Sequence, residues 1–249
     1  MDKLNSFQIK IANRVVKICP MFHYIKSYCK DYIVDDNLQY DFKVTTTQED
    51  INFEREKAKK QSLVENTKML DYSDSYLETL SVYRKIAVEM LKYNTFLFHG
   101  SVIAVDGQGY LFTAVSGTGK STHTKLWQEH FGNRAVMVND DKPLISVEQN
   151  TVTAHGTPWN GKHRIGCNIS VPLKAICLLT RDVYNHIEPI SNVDIYSIIL
   201  QQSYRPKQAE LLVKYLDIVD IVLKNCKFYK LGCNMEADAP VVAYNGMNK

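Results

Sequence analysis

The chain of 249 residues has no Cys-x-x-Cys pair, no dense Lys/Arg block and no apolar run near the ~18 residues of a membrane span. It has no internal repeat and no low-complexity tract. The first stretch, MDKLNSFQIKIANRVVKI, carries charges throughout and has no uninterrupted signal-peptide core. Its six cysteines, without a short secreted framework, read as free thiols of a reducing cytosol. A net charge of +3, from 30 Lys+Arg against 27 Asp+Glu, is too mild for a nucleic-acid binder. What is present is an ordinary globular balance, 45% hydrophobic and 23% charged, able to bury a sizeable core. The expectation is a soluble cytoplasmic protein without nucleic-acid or membrane partners; a homo-oligomer is left open.

Residues 1–93 and 94–249 read differently. In the first part, 32–47 alternates as strands around an Asp-Asp-Asn turn, and Thr47 precedes a short helix with acids early and lysines late. A polar patch at 61–68 reads as a loop. From Asp74 a helix places Leu77, Leu80, Ala87, Met90 and Leu91 on one face. This is a small α+β cap, with nothing in it that suggests chemistry. In the second part, SVIAV and YLFTAV flank DGQG as a hairpin. A helix at 121–131 and strands at 135–139 and 172–180 follow. Ser191 or Asn192 caps a helix that Arg205-Pro206 interrupts, and a second helix covers 207–224 with Leu211, Leu212, Tyr215 and Leu216 inward. The pattern is that of an α/β domain.

Residues 113–122 read TAVSGTGKST, a phosphate-binding loop with Ala114 where the usual pattern has its first glycine. Ser116, Gly117, Thr118 and Gly119 form the turn, whose glycines let backbone N–H groups approach phosphate oxygens. Lys120 can reach the β- and γ-phosphates of ATP, and Ser121 can offer a hydroxyl to Mg²⁺. From Thr122 a helix would begin, its N-terminal dipole favouring the anion. Alanine is the smallest departure at the first position.

Downstream, VMVNDDKP ends an apolar strand in Asp140 and Asp141. Carboxylates at a strand end beside a phosphate loop can hold Mg²⁺ or act as a base, and adjacent ones point to opposite sides. The alternative is a solvated turn before Pro143. His99, in FLFHGSVIAV, reads on its own as a structural histidine.

The order His99-Gly100, hairpin, SGTGKS and strand ending Asp-Asp resembles the catalytic domain of HPr kinase/phosphorylase, where the motif is H-G, G-x-S-G-x-G-K-S and D-D. It also resembles small HPr-kinase-like enzymes that phosphorylate serine on precursor peptides. The SGTGKST segment is similar to the kinase loop of ATP-dependent phosphoenolpyruvate carboxykinase, whose nucleotide-binding fold is related. The resemblance covers residues 96–142; beyond them it is one of layout. It implies an HPr-kinase-like P-loop domain with a mixed sheet, using ATP and Mg²⁺. It makes Lys120 and Ser121 nucleotide and metal contacts, Asp140 the base for an attacking hydroxyl, His99 its support and Asp141 a sharer of the metal work. The acceptor it implies is a Ser/Thr hydroxyl of a peptide or protein. The family's downstream signature for docking HPr is missing, so HPr itself is not expected, and 249 residues leave little room for a carboxykinase's substrate domain.

In TPWNGK, Trp159 offers an aromatic plane, Gly161 frees the backbone and Lys162 supplies a cation. The segment reads as a substrate or phosphate loop, or as a Trp-anchored structural turn. Arg205 is either a helix-end charge or a phosphate-side cation. His155, His163 and Cys167 lack a fourth ligand for zinc. Trp127 reads as core. Two rival functions remain: a small-molecule kinase with the same centre, or a nucleotide-binding regulatory module without transfer. Asp140 argues against the last, because a sensor needs no base.

Overall fold

A computed structural model of the chain describes residues 6–64, 68, 70–115, 117–161 and 163–248. The chain divides into two compact units, Met1–Glu89 and Met90–Lys249.

The first unit opens with β1 (Phe7–Ile11) and β2 (Arg14–Cys19), an antiparallel hairpin. Ala12 and Asn13 form its turn at φ of 45° and 62°. Its buried residues Phe7, Ile9, Ile11, Val16 and Ile18 follow strand periodicity. After α1 (Tyr24–Tyr28) come β3 (Ile33–Val34) and β4 (Phe42–Thr45), giving the order β3-β1-β2-β4. The strands expected in 32–47 therefore form but do not pair with each other. Each finds a partner in the β1–β2 hairpin, whose alternation is interspersed with charges.

Next is α2 (Gln48–Val64), which corrects the loop expected at 61–68: residues 61–64 continue the helix, having no Gly or Pro to stop it. Residues 65–67 of that loop lie outside the described residues. In α3 (Asp74–Met90), Leu77, Ala87 and Met90 are buried, and Leu91 just beyond it, while Leu80 is only half-buried. A buried carboxylate locks this unit. Glu78 accepts from the backbone N–H of Met21 (2.6 Å) and Phe22 (3.0 Å) and from the Thr46 hydroxyl.

The second unit is an α/β structure on a nine-stranded mixed sheet. Its elements are β5 (Thr95–Leu97), β6 (Ser101–Val105), β7 (Gln108–Thr113), α4 (Lys120–Phe131), β8 (Ala135–Asn139), β9 (Leu144–Glu148), β10 (Thr151–His155), β11 (Ser170–Arg181), β12 (His186–Pro189), α5 (Asn192–Gln202), α6 (Ala209–Asn225), β13 (Lys227–Cys233) and α7 (Ala239–Met247). The order is β5-β9-β10-β11-β7-β6-β8, with β13 pairing β11 and β12. Strand β7 runs parallel to β11, and β11 parallel to β13. Asp106 and Gly107, at φ of 51° and 78°, make the two-residue β6–β7 turn that Asp-Gly favours.

Alternate residues of β7 face two cores. Leu111 packs with Ile195, Ile199 and Val219 of α5 and α6, whereas Tyr110 and Phe112 pack with Trp127 of α4 and Ala243 of α7. Helices thus cover both faces, which is why the central strands are apolar throughout. Ser191 caps α5, accepting from the Asp194 N–H, and α5 ends before Pro206. Among the described residues no helix is long and apolar enough to cross a membrane.

Candidate functional site

The loop after β7 takes its shape from two glycines. Gly117 and Gly119 have φ of 79° and 121°, and a Cβ at either would meet nothing within 4 Å. Backbone conformation, not crowding, therefore requires glycine here. Ala114 is buried in the same core as Phe112 and Trp127, where its methyl is packed. Helix α4 begins at Lys120, earlier than the expected Thr122, so Lys120, Ser121 and Thr122 form its first turn. Their N–H groups carry the positive end of the helix dipole. Ser116 lies outside the described residues.

An open cleft of about 470 Å³ is lined by His99, Gly117, Gly119, Lys120, Ser121, Thr122, Asp140, Asp141, Gly161 and His163. Thr118 turns away and bonds Val115 O through its hydroxyl (2.7 Å). The acids arrive on a turn that Asn139 builds: its Oδ1 accepts from the N–H of Asp141 (2.9 Å) and Lys142 (2.7 Å). This is an Asx-type turn at the end of β8.

The two carboxylates sit in different fields. Asp140 is 8% exposed, and Ser101 Oγ donates to its Oδ1 at 2.9 Å. Burial raises its pKa, the Ser101 and Ser121 hydroxyls oppose the rise, and the Asp141 charge adds to it. For Asp141, burial also pushes upward, but His99 and Lys142 outweigh it and hold the carboxyl at about 2. His99 Nε2 lies 3.2 Å from Asp141 Oδ1, and Nδ1 is 3.0 Å from Gln202 Oε1. The ring is thus fixed at both nitrogens. Burial lowers the pKa of Lys120, which Asp141 and Asp140 counter across the cleft.

The chain from Gly156 to Ile169 runs beside the end of β8. Gly166 bridges to Asn139, and Cys167 N–H donates to Val138 O. A Cβ on Gly156 would stand 1.8 Å from Cys167 O, so the segment can fold back only over glycine. Asn139 Nδ2 donates to Thr157 Oγ1 at 2.9 Å, tying this loop to the acidic turn. Trp159 is 2% exposed and does not line the cleft, so it anchors the loop from within. Gly161, at φ of 74°, does line it. Lys162 lies outside the described residues.

Arg205 is exposed and does not line the cleft; its charge acts on the Tyr215 hydroxyl instead. His155 is held between the Ser146 and Ser170 hydroxyls, both at 2.7 Å. Four contacts escaped sequence reasoning: Ser101 on Asp140, Gln202 on His99, Asn139 at the turn, and Arg181. The Arg181 guanidinium donates to the carbonyls of Gly117 (2.6 Å) and Thr118 (3.4 Å). Only Asn139 carried a local signal, its place immediately before two aspartates.

The donors fit Mg²⁺. Ser121 and Asp140 offer hard oxygens to the cleft, and Asp141 is already engaged by His99 and Lys142. Among the described residues no group of three His, Cys, Asp or Glu is placed to cage a metal. One or two protein oxygens, completed by phosphates and water, is the usual Mg²⁺ arrangement.

No curated protein matches the chain. Among solved structures, the HPr(Ser) kinase/phosphatase from Coxiella burnetii is similar at 11% identity and a TM-score of 0.34, over 60% of this chain and 94% of that one. A family model, that of SynChlorMet cassette protein ScmC, matches residues 64–245. The chain therefore belongs to the ScmC family of SynChlorMet cassette proteins.

Proposed function

We propose that the chain is an ATP-dependent kinase that transfers the γ-phosphate to a serine or threonine hydroxyl of a peptide or protein. The observation that carries this reading is the meeting of Lys120, Ser121 and the Asp140 carboxylate on one cleft at the start of α4. Backbone N–H groups of 117–122 and the Lys120 ammonium bind the phosphates. Ser121 and one oxygen of Asp140 would hold Mg²⁺, which when bound neutralises phosphate charge. Asp140 takes the proton of the attacking hydroxyl. Of the pair it is the carboxylate left to do so, since Asp141 is already engaged by His99 and Lys142. His99 and Lys142 fix Asp141, which keeps a second negative charge near Lys120 without competing for the proton. Transfer needs alignment, a cation clamp and a base more than covalent chemistry.

The test is to incubate the purified chain with γ-phosphate-labelled ATP and fractionated lysate. Label on serine or threonine of a polypeptide supports the reading. Label on a small molecule would replace the acceptor, and no labelled acceptor would leave a nucleotide-binding module.

A further inference from the structure

Three side chains on the segments that follow β11 and β13 are apolar, large and nearly bare. Val183 is 74% exposed, Tyr184 77% and Met235 78%. They stand on two loops that leave neighbouring parallel strands at the same level, since Arg181 of β11 is in register with Cys233 of β13. Those loops are cross-braced. Asn234 Nδ2 donates to Val183 O (3.0 Å), Asn234 N–H to Asn185 Oδ1 (3.0 Å), and Asn185 Nδ2 to Asp238 Oδ1 (2.6 Å). The side-chain amides of Asn185 and Asn234 are thus spent within the frame, and the apolar side chains are left to the outside. Two residues before Val183, Arg181 reaches back to the carbonyls of Gly117 and Thr118. The frame is therefore tied to the phosphate loop itself.

Sheet order gives the surface its meaning. Strand β7, which carries the loop, has β6 and then β8 on one side, and β11 and then β13 on the other. Asp140 and Asp141 follow β8, whereas the apolar side chains follow β11 and β13. Strand β8 is antiparallel to β6, which is antiparallel to β7, so all these strand ends open on the same edge. Ligands of such sheets lie across the carboxyl ends of the strands. With the transferred phosphate directed toward Asp140, the rest of a nucleotide must leave the loop toward β11 and β13. Two strand spacings, ~10 Å, separate β7 from β13.

Resting on the nucleotide reading above, we propose that Val183, Tyr184 and Met235 seat the base of the bound nucleoside triphosphate. The aromatic ring and the thioether contact its flat faces. Because the frame's amides are already paired, the base is held by its faces and not by its edge. ATP and GTP then bind alike.

Calorimetric titration of the whole chain with Mg-ATP, Mg-GTP and Mg-tripolyphosphate tests this. The wild type should bind both nucleotides more tightly than tripolyphosphate. The double variant Tyr184→Ala/Met235→Ala, altered only at exposed positions, should lose about tenfold or more in affinity for both nucleotides. Its affinity for tripolyphosphate should be unchanged. Lys120→Ala should weaken all three, which reports on the phosphate site separately. Nucleotide affinity in the double variant equal to wild type would overturn the seat while leaving the phosphate site intact. So would wild-type affinity for ATP no greater than for tripolyphosphate, or a defect confined to acceptor use. A strong preference for one base would overturn recognition by faces. Binding of none of the three would remove both readings together.

Discussion

Asn139 donates from its buried amide to Thr157 Oγ1 at 2.9 Å, while its Oδ1 holds the N–H groups of Asp141 and Lys142. One side chain thus fixes the acidic turn and fastens the 156–169 segment to it. Thr157→Val leaves a buried donor short of its acceptor, at about 1–3 kcal/mol. Denaturant unfolding should register that loss, phosphate transfer should fall with it, and Thr157→Ser should restore both. Wild-type stability in Thr157→Val would refute the coupling.

Lys120 is the half-buried cation that two carboxylates support across the cleft. Lys120→Ala should weaken Mg-ATP binding by roughly 1.5–3 kcal/mol, the range for a charge-assisted hydrogen bond. Calorimetry on the folded variant measures this; unaltered affinity would remove the nucleotide assignment.

Trp159 and Lys162, two residues before and one after lining Gly161, should separate cleanly. Trp159, fully enclosed, is a core anchor, and Trp159→Ala should destabilise by about 3–5 kcal/mol. We expect Lys162→Ala to lower transfer more than ATP affinity, as a contact made in the reacting state does. Melting temperature and transfer rate measured on both variants decide. Full transfer by Lys162→Ala would leave the loop a purely structural turn.

Burial holds His123 and His155 neutral, lowering each from 6.5 to about 4. The unfolded chain takes up protons below 6.5 that the folded chain refuses until about 4. Stability is therefore full above pH 6.5 and is lost as pH falls through that window, at about 3 kcal/mol per histidine. Urea midpoints compared between pH 7 and pH 5 should drop steeply in the wild type and less in His155→Gln. Equal slopes would contradict the buried-neutral assignment for His155.

The parts of the site legible in the sequence are those that local chain dictates. Gly117 and Gly119 announce a turn with positive φ, Asp106-Gly107 a hairpin, and Asp140-Asp141 the end of an apolar strand. What stayed hidden depends on strand order. Arg181 meets Thr118 across a separation of 63 residues, and Ser101 meets Asp140 across 39. No periodicity encodes that β11 lies beside β7 and extends past its end. Arg205 shows the converse: a charge between two helices looks available to a phosphate, but the fold leaves it exposed and outside the cleft lining. The β1–β2 hairpin was masked differently, because its charged residues interrupt the alternation that buries Ile9 and Ile18.

The claim at the centre is that Asp140 is the base for phosphoryl transfer while Asp141 is fixed by His99. Transfer of labelled γ-phosphate at saturating Mg-ATP, compared between wild type and Asp140→Asn, tests it most directly. An amide cannot take the hydroxyl proton, so the variant should bind ATP and transfer label about 10²–10⁴-fold more slowly. Asp141→Asn and His99→Ala should show smaller losses of transfer with nucleotide binding kept. Undiminished transfer by Asp140→Asn, or a variant at Asp141 that binds ATP normally yet alone fails to transfer, would contradict the account.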